Sequence, residues 1–234
     1  MYSIHVKHYE PDDLAFYGRT DALKKTLEAT ASPEDEKLGC HRWLLESMPK
    51  RMVYLDMYGE FLGGHTQQHV LDIGGGVTSL TRVVASNCNY TLIDLLAHDD
   101  RAAAEKTFKS APVNFNEADW CSASVSQDFD IVVCNDLIPN VDQRLKLFLD
   151  KFLPVSKEIR LLVTYYNNDR FYKVKRVDAD EIMFLQAWTG GQVALLLRDR
   201  FPRLANEHLE GFYRVSGSIY PNGRLTSLIT ITRD

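Results

Sequence analysis

The stretch that most constrains this chain is Val70-Leu71-Asp72-Ile73 running into Gly74-Gly75-Gly76. A short apolar run, three glycines and then Thr78 to Ala85 read as a strand, a tight turn and a helix. The next hundred residues or so repeat the theme. Tyr90 to Ile93 is a strand closed by Asp94, and Asp99 to Lys109 is a helix. Val113 to Phe115 is a weak strand and Phe129 to Cys134 a strong one, followed by a loop with Pro139 and the amphipathic helix Val141 to Phe152. Ile159 to Thr164 is a fifth strand. Strands alternating with helices predict an α/β domain built on a mostly parallel sheet with helices on both faces.

The flanks differ from this core. Before residue 64 the chain reads as helices: Asp12 to Thr30, a break at Ser32-Pro33, then Leu38 to Met48 and Met52 to Leu62, stopping at Gly63-Gly64. Pro33 with Glu34, Asp35 and Glu36 suits a helix start. After the fifth strand, Asp178 to Trp188 and Gln192 to Arg200 read as helices around Gly190-Gly191. Gly211 to Tyr220 and Arg224 to Thr232 then look like two strands joined by Pro221-Asn222-Gly223, a tight-turn sequence because Asn and Gly tolerate positive φ.

Composition narrows the function classes. The formal net charge of −5, with 45% hydrophobic and 25% charged residues, suits a globular protein with a real core and argues against a broad nucleic-acid surface. No apolar run approaches the length of a bilayer span. Met1 to Pro11 lacks the apolar segment of a secretory leader. Four scattered cysteines, Cys40, Cys88, Cys121 and Cys134, show no metal spacing and read as free thiols. These features favour a cytoplasmic protein with no metal site, no membrane contact and no nucleic-acid partner. Exposed aromatics in the N-terminal helices are candidates for a homodimer contact.

The glycine turn brings backbone close to a ligand at the carboxyl edge of the sheet, and Asp94, about 20 residues after Gly74, can accept both hydroxyls of a ribose. On these grounds alone nicotinamide and adenosylmethionine cofactors are equally served. Four motifs in order separate them. Val70 to Gly76 with Asp72 two positions before the first glycine, Asp94, Glu117-Ala118-Asp119-Trp120, and Asp128 to Asp136 through Asn135 together resemble the class I S-adenosylmethionine-dependent methyltransferases. The resemblance runs from about Val70 to Thr164 and through the terminal strands.

That resemblance implies a Rossmann-like seven-stranded sheet in the order 3-2-1-4-5-7-6 with the last strand antiparallel, a helical N-terminal cap over 1–64 and a cofactor domain over 65–234. It implies S-adenosyl-L-methionine held by Asp72, Gly74, Gly75, Gly76, Asp94, Asp119, Trp120 and Asn135. Asp119 would accept from the adenine amino group, and the backbone at Asn135 would meet the methionine ammonium. For Asp72 a second reading stands beside direct contact, that it only stabilises the loop.

The implied reaction is methyl transfer to an oxygen or nitrogen of a small polar acceptor by in-line displacement, which asks the protein mainly to align the acceptor, exclude water and sometimes remove a proton. Acceptor-side groups belong at the carboxyl ends of the fourth and fifth strands. Asp136 is the first candidate for a base or an orienting group, then Tyr165 and Tyr166, with Asn167 beside them. The turn Tyr220 to Arg224 falls on the same edge, and His208 on the opposite one. Between Tyr165 and Val177, Arg170, Lys173, Lys175 and Arg176 outnumber Asp169, which suggests contact with an anionic part of the acceptor. Tyr9, Phe16, Tyr17, Arg19 and Tyr58 are candidate lid residues, Tyr17 also for the acceptor. A nicotinamide-dependent oxidoreductase and a non-catalytic module of the same fold are the competing readings.

Overall fold

The computed structural model describes residues 2–176, 181–202, 204–214 and 217–233. Its strands are β1 (Tyr2–His8), β2 (His69–Ile73), β3 (Asn89–Asp94), β4 (Asn114–Glu117), β5 (Phe129–Cys134), β6 (Ser156–Tyr165), β7 (Arg170–Arg176), β8 (Glu181–Ala187) and β9 (Leu225–Arg233). Helices α1 (Pro11–Tyr17), α2 (Ala22–Thr30), α3 (Gly39–Glu46) and α4 (Met48–Tyr58) precede β2. Helices α5 (Ser79–Asn87), α6 (Arg101–Ser110), α7 (Leu145–Phe152), α8 (Gly190–Arg200) and α9 (Asn206–Arg214) come after it.

Seven strands form one sheet in the order β1-β9-β6-β5-β2-β3-β4, and β7 pairs with β8 in a separate hairpin. β2 to β6 run parallel, and β9 is antiparallel to both of its neighbours. Side chains alternate between two cores. Val70, Ile131, Val133 and Leu162 join the cluster under the N-terminal helices, α5 and α6. Leu71, Ile73, Val132, Cys134, Leu161 and Val163 join the cluster under α7, α8 and α9. Both faces are therefore covered, which is why β2 and β5 read as continuous apolar runs.

The expected seven-stranded Rossmann-like sheet is present, with one correction at its edge. The place of the sixth strand is taken by β1, which pairs with β9 from Tyr2↔Arg233 to His8↔Ser227. Of the stretch Gly211 to Tyr220 expected as a strand, neither 211–214 nor 217–220 is one, and 215–216 lie outside the described residues. The first part completes α9, which buries Leu209 and Phe212. Gly211 packs on the ring of His8, where an added Cβ would lie 2.0 Å from Nε2. Tyr2, Ile4 and Val6 pack against the core while Ser3 and His5 are exposed, a period of two that marks an edge strand. Once β1 fills that edge, the β propensity of the Gly211 segment has no partner to satisfy. His208 accordingly lies on α9 rather than ahead of a strand.

Other boundaries shift for local reasons. The first helix is split in two by Gly18 to Asp21, where Asp21 takes φ 36°. Pro49 does not stop a helix; it stands in the first turn of α4, with Ser47 as the cap accepting from the Lys50 amide. The expected helix Asp178 to Trp188 is instead β8 from Glu181 onward, because β7 supplies a strand to pair with. Asp178 to Asp180 lie outside the described residues.

Candidate active site

The carboxyl ends of β2, β3 and β5 open onto a cavity of about 760 Å³, within the usual range for a small-molecule site. The glycine turn forms its floor. Gly74 and Gly76 have φ of +66° and +67°, a region L side chains rarely adopt. A Cβ on Gly75 would lie 2.4 Å from the Asp72 carboxylate, and one on Gly76 would lie 2.2 Å from Cys40 Sγ. The backbone is thus pressed between the strand below and α3 beside it, with Gly74 and Gly75 facing the cavity.

Asp94 closes β3 and lines the same cavity. It accepts from the Gly76 amide at 3.0 Å and the Leu96 amide at 2.6 Å, so each oxygen keeps a lone pair for another donor. Burial raises its pKa, against the pull of those two amides. Asp119 and Trp120 come after β4 and also line the cavity. Asp119 accepts from the Cys121 amide at 2.7 Å and pairs with Arg144 at 3.0 Å. The Trp120 indole donates to Asp142 at 2.7 Å, and Arg144 stacks on its ring at 4.8 Å.

Asn135 and Asp136 line the wall beyond β5. Asp136 has φ 57° and sits between two cations, accepting from Lys50 at 2.7 Å and Arg224 at 3.1 Å. Burial alone would raise its pKa, but Lys50 and Arg224 hold it below the ordinary carboxylate value. Arg224 in turn stacks on Tyr220 at 4.4 Å. The turn reaches this edge because β9 is antiparallel, so that its start lies beside the end of β6. Tyr220 to Arg224 lie on the expected edge, placed by the antiparallel β9 after them and not by a parallel strand before them, since Gly211 to Arg214 belong to α9.

The roof comes from α3 and α4, through Cys40, Trp43, Leu44, Lys50, Val53 and Tyr54. Asp99 ties the roof to the glycine turn, accepting from the Cys40 amide at 3.0 Å and the Val77 amide at 2.8 Å. Burial and the neighbouring Asp99 push the Cys40 thiol well above its ordinary pKa, so it is a packing thiol and not a nucleophile.

Asp72 lies beneath the turn, outside the cavity lining. Its Oδ2 accepts from Tyr90 at 2.7 Å and Tyr58 at 2.9 Å, while Oδ1 is buried with no partner among the described residues. Burial raises its pKa to about 7.

Several residues expected at the acceptor do not line this cavity. Tyr165 is fully buried on the opposite face of β6, in contact with Ser227 at 3.0 Å. Tyr166 carries Arg170 on its ring at 4.4 Å, and neither lines the cavity. Asn167, Arg170 and Lys173 are exposed, and Arg176 closes β7 opposite Glu181. The hairpin touches the cavity wall where the Tyr172 hydroxyl donates to the Asn140 carbonyl at 2.5 Å. Among the lid candidates, Tyr9 is buried and donates to Asp56, Tyr58 is committed to Asp72, and Tyr17 is buried at the end of α1. Phe16 is 71% exposed with Arg19 stacked on it. The residues missed were Lys50, masked by reading Pro49 as a helix end, and Asp99, which carried no motif.

A seven-stranded sheet with an antiparallel strand next to its edge, a glycine turn after β2 and an acid closing β3 is a Rossmann-like fold that this chain shares with a solved methyltransferase. The plantazolicin methyltransferase BpumL in complex with SAH is similar, with a TM-score of 0.50 and 15% identity over 95% of this chain and 98% of that one. So is the Burkholderia thailandensis 1,6-didemethyltoxoflavin-N1-methyltransferase, with a TM-score of 0.49 and 14% identity over 97% and 92% of the two chains. For the Haemonchus contortus Phospholethanolamine N-methyltransferase 2 the TM-score is 0.46 and the identity 16%; 77% of this chain is covered but only 52% of that protein. No protein-family model matches the sequence, and no curated protein matches it.

Proposed function

We propose that this chain is an S-adenosylmethionine-dependent methyltransferase acting on an oxygen or nitrogen of a small polar acceptor. One observation carries the reading: Gly74, Gly75, Asp94, Asp119, Trp120 and Asn135, drawn from four separate segments, all face a single cavity. A ligand reaching from Asp119 across the glycine turn to Asn135 would be an adenosyl amino acid in extended form. Asp94 would take the ribose hydroxyls on its free lone pairs, Asp119 the adenine amino group, and the backbone at Gly74 and Asn135 the amino-acid end. Asp72 would act from below, fixing the turn through its contact with Gly75.

When bound, S-adenosylmethionine would supply a methyl group already activated by its sulfonium charge. The protein then has to position and desolvate. Helices α3 and α4 exclude water from above, and Trp43, Tyr54 and Tyr220 offer apolar walls. Asp136 is a poor general base, since two cations hold it ionised; it serves as an orienting group. Removal of a proton from the acceptor falls to the acceptor's own chemistry or to water. A reducing, cytoplasmic location fits the free thiols at Cys40, Cys88, Cys121 and Cys134.

Calorimetric titration with S-adenosylhomocysteine and with NADH tests the reading, followed by an acceptor screen with labelled methyl donor. S-adenosylhomocysteine should bind, NADH should not, and Asp94→Ala should weaken the former at least tenfold. Binding of NADH with no response to S-adenosylhomocysteine would sink the proposal.

A further inference from the structure

On the β9 side of the cavity, away from Asp94 and Asp119, three distant segments converge. Lys50 comes from the first turn of α4, Asp136 from the end of β5, and Arg224 from the turn leading into β9. Two cations face one carboxylate, so the group carries a net charge of +1. The contacts within it do not use up its donors. Lys50 gives one N–H to Asp136 at 2.7 Å and has two left. Arg224 reaches Asp136 through its two terminal nitrogens at 3.1 and 3.4 Å, and its Nε is buried with no partner among the described residues. All three side chains line the cavity.

A cationic acceptor is disfavoured here, because Asp136, the carboxylate lining this end of the cavity among the described residues, is already paired twice. An oxyanion finds a fork of unused N–H donors in a site partly shielded from water, where charge-assisted hydrogen bonds are strong. Beside Lys50 a second hollow of about 450 Å³, sharing Trp43 with the cavity, is walled by Leu14, Met48, Pro49, Ile219 and Pro221, with Glu46 and Ser47 as its polar members. An apolar body could rest there next to the anionic group.

From this we infer that Lys50 and Arg224, bridged by Asp136, form an oxyanion subsite that recognises a carboxylate or phosphate on the methyl acceptor. The inference deepens the methyltransferase reading and assigns the anion recognition to these residues instead of the basic strand β7. The same chemistry could also serve the carboxylate of the cofactor's amino-acid end, and the two sources predict different linkage.

The experiment is binding of inorganic phosphate and of benzoate to the wild-type protein, alone and saturated with S-adenosylhomocysteine. The same titrations are run on Arg224→Gln, Arg224→Lys and Lys50→Gln, in each of which Asp136 keeps one cation beside it. The expected result is binding of at least one anion with S-adenosylhomocysteine present, weakened at least tenfold in Arg224→Gln and in Lys50→Gln. Arg224→Lys should retain most of it, and the affinity for S-adenosylhomocysteine should stay within threefold in all variants. Displacement of the anion by S-adenosylhomocysteine, with matched loss of both in Arg224→Gln, would assign the pair to the cofactor and overturn the inference. So would anion affinities that the substitutions leave unchanged, or no binding of either anion to the wild type. If the anion binds through Arg224 but S-adenosylhomocysteine does not bind at all, the methyltransferase reading fails while the oxyanion subsite stands.

Discussion

Asp72 should make this protein less stable as the pH rises through neutrality, and Asp72→Asn should remove the effect. The carboxyl is 2% exposed and has one oxygen with no partner among the described residues. Burial lifts its pKa from 3.8 in the unfolded chain to about 7, against the two tyrosine hydroxyls that lower it. A group whose pKa is higher in the folded state binds more protons there, so stability falls with pH between the two values. One pKa step corresponds to about 1.4 kcal/mol, and a rise from 3.8 to about 7 gives a loss of about 4 kcal/mol between pH 4 and pH 8. In urea that is a midpoint shift of roughly 1.5 M for a protein of this size. The assay is urea unfolding of wild type and Asp72→Asn at matched pH values. The amide keeps an oxygen for Tyr58 and Tyr90 and never ionises. The two proteins should therefore diverge by about 4 kcal/mol across this range, with the variant the more stable at pH 8. Parallel stability curves would refute the reasoning, because they would mean that the carboxyl ionises in the folded state as easily as in water.

Two further outcomes rest on geometry. Gly76→Ala places a Cβ at φ +67° against Cys40, so unfolding should show a loss of at least about 2 kcal/mol, and S-adenosylhomocysteine should bind at least tenfold more weakly; wild-type values for both would count against the close approach of α3 to the turn. Asp35→Ala strips the bidentate partner from Arg82, which contacts the buried carboxylate at 2.6 and 2.8 Å, and should cost about 3 to 5 kcal/mol at neutral pH. Although burial pushes the Asp35 pKa up, Arg82 and Ser32 bring it below 3.8. The stability this carboxylate contributes is thus present above that value and lost below it, so the gap between variant and wild type in urea unfolding should narrow under strong acid.

What could be read from the chain alone was whatever neighbouring residues decide. The run into Gly74, the glycines themselves and the placement of Asp94 belong to one strand–turn–helix–strand unit, whose geometry is set over about 20 residues. The sequence therefore located the floor of the cavity, and the strands β2 to β6 with it. The face on which Tyr165 lies was legible too: alternation along β6 puts it with Leu161 and Val163, on the face away from Leu162 and the cavity. Only the tertiary structure decided which segment would pair with β9, since Tyr2 and Arg233 come from opposite ends of the chain. It also brought Lys50, Asp136 and Arg224 together across separations of 86 and 88 residues. No local pattern encodes such meetings. They arise because a sheet edge must be paired and a buried charge must be answered, and the partner is whichever segment the folded chain delivers to that place.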